Sequence, residues 1–384
     1  MLHFPFEYNT PAAYTDWLAD ELNTDKLSCN VVMVPIRPRL NLAQYPGLHR
    51  RYFADQLVQY TRTQVFDWNK VKLIVDDFTE ATQDSTLNEI VEGILESFPQ
   101  IKLENIIFVQ AGVPSGKTVV QSLVYPTFLL EIFYARRLLG FLEVKIPWQD
   151  RKLKFISLCR RPTWFRVAIT EEILSRNLDS QGIVTCGSES DLNYDQTQWK
   201  MAYVKDQKFY DRFPILFNGT AITGSEEQYD IQQEFTNCFV NVVSETSNQR
   251  YLGSAHLTGR SEDPVHHWDR IFITEKSMKP YFKEQVPLFN TMPGHVAYMR
   301  SLGIDVFDDI VNHAYDLIDD KDQRIKAVAD ELERLCNISI EAWQNMYESH
   351  NLENRFEQAR QAIKNSGMQQ RDACYAEIKK FLRT

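Results

Sequence analysis

Short, apolar, β-branched runs recur along this chain, separated by stretches whose apolar residues fall at helical spacing. The runs are residues 30–36 (NVVMVPI), 71–75 (VKLIV), 105–110 (NIIFVQ), 154–158 (KFISL) and 239–246 (FVNVVSET). A continuous apolar run, unlike an alternating one, marks a strand covered on both faces, as in a parallel sheet. Between the second and third runs, residues 86–98 put Leu87, Ile90, Val91, Ile94 and Leu95 on one helical face. Strands alternating with amphipathic helices predict an α/β fold with parallel, doubly wound sheets. At 384 residues the chain is long enough for two such units, each with its own core. Periodicity gives way to Pro, Trp and charge near Pro147 (EVKIPWQD), so the first unit is expected over 1–148 and the second over 149–330. Residues 331–384 are expected as a helical tail, which either crosses back over the first unit or mediates oligomerisation. Residues 1–28 read as a helical lead-in, with Tyr14, Trp17, Leu18 and Leu22 at helical spacing.

Composition narrows the function classes. Hydrophobic content of 43% and aromatic content of 12% are those of a globular chain. A net charge of -10 disfavours a general nucleic-acid coat and leaves room for a local basic cleft. No apolar run reaches membrane-spanning length, and the N-terminus lacks a basic segment followed by an apolar core, so a cytoplasmic protein is expected. The six cysteines at 29, 159, 186, 238, 336 and 374 form no C-x-x-C pair or Cys/His cluster, which predicts reduced thiols and no zinc site.

Chemistry concentrates in residues 239–280. The apolar run there ends in Ser244, Glu245 and Thr246. After a polar loop, residues 271–273 read as a second short strand running into Thr274-Glu275-Lys276, with Thr274 as helix N-cap. Two strands would then deliver a carboxylate, hydroxyls, an ammonium and helix-start amides to one sheet edge, a suitable seat for a phosphate. A capped surface helix with solvated charges is the competing reading of either piece alone. Upstream, the strand 154–158 enters an arginine-rich turn, Arg160-Arg161, followed by a helix from about Arg166 to Leu178. Arginine matches phosphate oxygens bidentately, though these arginines are equally suited to solvent. The polar stretch 186–233, with Trp199, Tyr203, Phe209, Tyr210 and Phe213, reads as a lid or as a packed satellite cluster.

The strand-Glu, then ITEK, arrangement resembles the donor-binding core of the α1,3-fucosyltransferase family and its viral relatives. There a motif running roughly FENS…YITEKL holds the diphosphate and ribose of a nucleotide sugar. This chain has VSETS and FITEKS in those places, and Ser244-Glu245-Thr246 departs from the Glu-Asn-Ser order. The likeness is firm over 239–280 and looser over 154–307. It implies a GT-B-like glycosyltransferase, with two Rossmann-like domains facing across a cleft and a UDP- or GDP-sugar as co-substrate. It further implies that Glu245, Glu275 and Lys276 face the donor, flanked by Ser244 and Thr274, with Arg160, Arg161 and Arg166 on the arginine turn. The short strand PLFN and the turn at Gly294-His295 would pack beside the donor. In the intervening loop, His267 is a candidate donor contact, with His266 or neither as the alternatives.

Sugar transfer needs the leaving diphosphate neutralised and, with inversion, a base for the acceptor hydroxyl. The second unit has no clear Asp-x-Asp between strands, so the arginines and Lys276 are expected to neutralise charge without a required metal. Asp76 and Asp77, at a strand exit of the first unit, are the candidate bases; adjacent residues point to opposite faces, so only one could serve, and a plain strand terminus is the simpler reading of each. The viral relatives make a hydroxylated phage DNA base a conceivable acceptor, with basic segments 37–51 and 136–161 as its footing, in a host cytoplasm. A glycan or small-molecule acceptor, and a monomer or homodimer, stay open. A different enzyme class is offered by residues 111–118 (AGVPSGKT), which nearly fit a phosphate-binding P-loop with Lys117 and Thr118. Pro114 removes an amide from it, and an ordinary turn is the simpler reading. A non-catalytic nucleotide-sugar-binding protein is the third possibility.

Overall fold

Two all-parallel sheets carry the fold. The structure is a computed structural model that describes residues 2–3, 16–21, 30–35, 57–58, 67–77, 84–113, 116–127, 129–130, 146–159, 162–187, 200, 203–216, 236–245 and 271–384. The first sheet holds β1 (Leu2–His3), β2 (Asn30–Pro35), β3 (Val71–Asp77), β4 (Ile106–Gln110) and β5 (Gln121–Val124), in that spatial order. The expected strands are β2, β3 and β4. β1 has two residues and β5 (QSLV) is part-exposed, so neither has the apolar run that marks the others. Among the described strands the order follows the chain without reversing, and every pairing is parallel, as expected. Both of its faces are covered. On one face, α1 (Asp84–Ser97) lays Leu87, Ile90, Val91 and Ile94 against Leu73, Val75 and Phe108. On the other, Val31, Met33, Ile74, Ile107 and Val109 pack against Leu18 and the end of the last helix.

The second sheet comprises β6 (Leu153–Cys159), β7 (Gly182–Cys186), β8 (Cys238–Ser244) and β9 (Val286–Asn290), in the order β7-β6-β8-β9. The order reverses between β6 and β8. In open α/β sheets the crevice at the carboxyl ends of two such strands is where ligands bind. β8 and β9 are buried at every residue, as their continuous apolar runs require. The helices of this unit are α2 (Trp164–Ser175), α3 (Glu275–Phe282), α4 (His295–Ser301), α5 (Lys321–Cys336), α6 (Ile340–Ser349) and α7 (Leu352–Arg383). Residue 331, the expected start of a tail, lies inside α5, whose Ile325, Val328 and Leu332 share the second sheet's core with Phe155 and Leu288. Residues 271–273 are not a strand. Both sides of β8 are already paired, with β6 and β9, so this segment cannot lie beside β8 in the sheet.

Where the chain crosses between units, Trp148 and Arg151 are buried and hydrogen-bonded. Trp148 is buried and its indole N–H donates to Trp343 O at 2.6 Å. Arg151, fully buried, donates to the carbonyls of Cys238 (3.1 Å), Glu284 (2.6 Å) and Lys283 (3.0 Å). Burial pulls its guanidinium down to about 10. So the described arginine of the 136–161 basic segment is interior and offers no footing to a polyanion. α7 completes the return path. Its Leu352, Phe356, Ala359 and Ile363 pack on the second unit, and its Cys374, Ile378, Phe381 and Leu382 on the first. The five described cysteines are buried free thiols.

Candidate functional site

The carboxyl edge of the second sheet gathers three helix starts. α2 begins at Thr163, α3 at Thr274 and α4 at Gly294. Glycine is required at 294 because its φ is 78°, a left-handed conformation that a side chain disfavours. At the exit of β8, Ser244 and Glu245 are buried. Arg166, 5% exposed in the first turn of α2, donates through Nη2 to Ser244 O at 3.1 Å. Asn290, the last residue of β9, donates through Nδ2 to Ser244 Oγ at 3.1 Å and to Phe165 O at 3.4 Å. These bonds tie α2, β8 and β9 together where the strand order reverses.

Glu245 turns inward to α3. Its Oε1 accepts from Thr274 N (2.9 Å), Ser277 N (3.2 Å) and Ser277 Oγ (2.6 Å), and its Oε2 from Thr274 Oγ1 (2.6 Å). Thr274 Oγ1 in turn accepts from Lys276 N at 3.2 Å, as an N-cap does. At this helix start the amides of Thr274, Lys276 and Ser277 are therefore taken by a carboxylate and a hydroxyl of the protein itself. At α2 the situation differs: its N-cap Thr163 makes no side-chain cap bond, and Thr163 Oγ1 is buried without a hydrogen-bond partner.

Glu275 and Lys276 stand at the surface of this edge, with side chains 26% and 32% exposed, and Lys276 Nζ lies 3.2 Å from Glu275 Oε1. Burial by itself would raise the Glu275 carboxyl. Lys276 and Lys279 outweigh it and bring the carboxyl down to about 2, so the group is ionised at any ordinary pH. Lys279, buried at 6% exposure, has its ammonium pulled down by burial, with Glu275 and Glu245 offsetting part of that. The edge thus carries three basic side chains, Arg166, Lys276 and Lys279, and two carboxylates.

The first unit meets this edge directly. Val113 N, just past β4, donates to Ile271 O at 2.9 Å, and Ala111 packs on Phe272. The seam has a small depression, with room for about one water-sized molecule, lined by Ala111, Val113, Leu129, Ile273, Tyr298 and Gln370, among others. Asp76 and Asp77 close β3 opposite Val109 and Gln110 of β4, on the same carboxyl edge that faces the second unit. Asp76 is 3% exposed. By strand alternation it shares its face with Ile74 and Lys72, the face that α7 covers.

So the structure brings Arg166, Ser244, Glu245, Thr274, Glu275 and Lys276 to one edge and sets Asp76 and Asp77 on the sheet that abuts it. Arg160, Arg161, Thr246, His266 and His267 lie outside the described residues, as does the basic segment 37–51. Of the aromatic stretch, Tyr203, Phe209 and Phe213 pack as a satellite cluster on Val167 and Leu174 of α2. The P-loop context is absent. A phosphate-binding loop opens a helix, whereas residues 119–120 here bend into β5. That turn is tied to α1: Asn88 Nδ2 donates to Lys117 O at 3.2 Å, and Val119 N to Asn88 Oδ1 at 2.8 Å. Among residues missed in sequence, Lys279 was legible, since it follows Glu275 by four and Lys276 by three on one helix face. Asn290 was not, because its partners come from α2 and β8. Comparison with protein-family models, with characterised proteins and with solved structures yields no match.

Proposed function

We propose that this protein is a glycosyltransferase of GT-B-like arrangement, which binds a UDP- or GDP-sugar at the carboxyl edge of its second sheet. The observation that carries the reading is the reversal of strand order between β6 and β8, with Arg166, Ser244 and the Thr274–Lys276 helix start all at that point. The diphosphate belongs at the start of α2, whose N-cap side chain leaves the helix amides uncapped, with Arg166 and Lys276 supplying positive charge. Helix dipole and fixed cations stabilise the charge that grows on the leaving diphosphate, so no metal is required. Glu275 meets the ribose or sugar hydroxyls as an ionised acceptor. Glu245 acts as a positioning residue, since its oxygens already hold α3. The acceptor hydroxyl approaches from the first sheet, where Asp76 or Asp77 takes its proton.

The test is a thermal-shift series with UDP, GDP, CMP, ADP and ATP, with and without Mg²⁺, on wild type and on Glu275→Ala/Lys276→Ala. A nucleotide at one hundred times its dissociation constant adds about 2.7 kcal/mol of stability. UDP or GDP should raise Tm without metal, and the double variant should lose that rise. A response to ATP with Mg²⁺ alone, equal in the double variant, would overturn the reading.

A further inference from the structure

We propose that His295 is a positioning residue of the donor site, acting through Ser277 and Glu245 on the start of α3. Its bearing on donor binding rests on the function proposed above. His295 opens α4, is 0% exposed, and packs its ring 5.1 Å from that of Phe289. Its Nε2 lies 3.2 Å from Ser277 Oγ. Ser277 Oγ has one proton, which it donates to Glu245 Oε1 at 2.6 Å. The bond from His295 must then run from Nε2–H to the hydroxyl, which fixes the imidazole as the Nε2–H tautomer. His295 Nδ1 is left as a buried lone pair with no hydrogen-bond partner. The charged groups that act on the ring are Glu245, Asp316 and Arg324, and burial holds it neutral, down at about 4.

The result is a one-directional chain. His295 donates to Ser277, Ser277 donates to Glu245, and Glu245 accepts from the backbone N–H of both Thr274 and Ser277. A hydroxyl that accepts one hydrogen bond donates another more strongly, so the imidazole strengthens the grip of Glu245. His295 itself is held from behind. Asp316 accepts from Val296 N and Ala297 N at the start of α4, and buried Arg324 binds Asp316 at 3.2 Å. The imidazole therefore connects a clamped α4 to the helix start that bears Glu275 and Lys276.

Two variants separate the hydrogen bond from the shape. His295→Phe keeps a ring and removes the donor; His295→Gln places an amide N–H near the Nε2 position. Two readouts are taken: hydrogen exchange of the Thr274 and Ser277 amides without ligand, and dissociation constants for UDP and GDP. His295→Phe should speed both amides and weaken nucleotide binding by roughly tenfold, about 1.4 kcal/mol, and His295→Gln should restore most of each. Should His295→Phe not fold, Ser277→Ala reads the same link and should give the same two changes. Wild-type exchange and affinity in His295→Phe, or no rescue by His295→Gln, would overturn the proposal. Altered exchange in a protein whose wild type binds neither nucleotide would sustain the hydrogen-bond chain and overturn the donor reading instead.

Discussion

Glu245 and Glu275 stand 30 positions apart in sequence and do opposite jobs in the fold. The Glu245 carboxylate replaces solvent for a helix start, and removing it leaves the N–H groups of Thr274 and Ser277 and two hydroxyls without their acceptor. Each buried donor so orphaned costs about 1–3 kcal/mol. Glu245→Ala should therefore lower unfolding free energy by roughly 3 kcal/mol or more in urea titration, whereas Glu275→Ala should cost far less. Glu275 carries the pH signature. Its carboxyl lies at about 2 in the fold against an ordinary 4.5, so its contribution is complete above pH 4.5 and is lost as pH falls toward 2. His295 acts in a separate window. The unfolded imidazole takes up a proton near 6.5 while the folded one resists it down to about 4, so stability falls with pH between those values. Unfolding measured from pH 7 to 3 should show the upper slope lessen in His295→Phe, with His313 still contributing there, and the lower one lessen in Glu275→Gln, with Asp309 still contributing.

At the scale of elements, the second sheet depends on close approaches that its strands make possible. At Gly182, the first residue of β7, a Cβ would come 2.4 Å from Phe155 O, a backbone atom of the paired strand β6 that cannot rotate away. Gly182→Ala should cost about 1–3 kcal/mol as an overpacked site, seen as a Tm several degrees lower without altered nucleotide specificity. The turn from β9 into α4 is held by the buried pair of Arg324 and Asp316, each 2% exposed in its side chain. Arg324 also donates to the carbonyls of Thr291 (2.7 Å) and Met292 (2.8 Å). Asp316→Ala would leave the guanidinium buried without its counter-charge, at a cost of roughly 3–5 kcal/mol. That is a large share of the roughly 5–15 kcal/mol of an ordinary chain, and a circular dichroism melt should report a much lower Tm.

Over the whole molecule, α7 decides whether the two units behave as one. Its first half lies in the core of the second sheet and its second half covers the first sheet, ending where Lys72 Nζ reaches Asn105 Oδ1 at 2.8 Å and Thr384 Oγ1 at 3.5 Å. Truncation after residue 367 should expose Val31, Met33, Ile74, Ile107 and Val109 while leaving the second core intact. Dye binding to the newly apolar face, together with selective proteolysis of the first unit, is the expected outcome; a single cooperative melt unchanged from the full chain would contradict it.

The sequence by itself determined the strands β2, β3, β4, β6, β8 and β9 and the helices α1 to α3, because each is written in a local pattern of apolar residues. It also determined that Ser244, Glu245, Thr274, Glu275 and Lys276 belong near one another, through a motif of strand exit and helix start. What it did not contain is the order of strands within a sheet, since pairing in a parallel sheet is non-local and leaves no periodic mark. Only the tertiary structure decided that the first sheet runs in chain order and that the second reverses between β6 and β8. Tertiary structure also decided the fate of individual groups. Glu245 and Arg151 look like accessible charges in the chain, yet both are interior, because the amides and carbonyls that surround them come from segments far away in sequence.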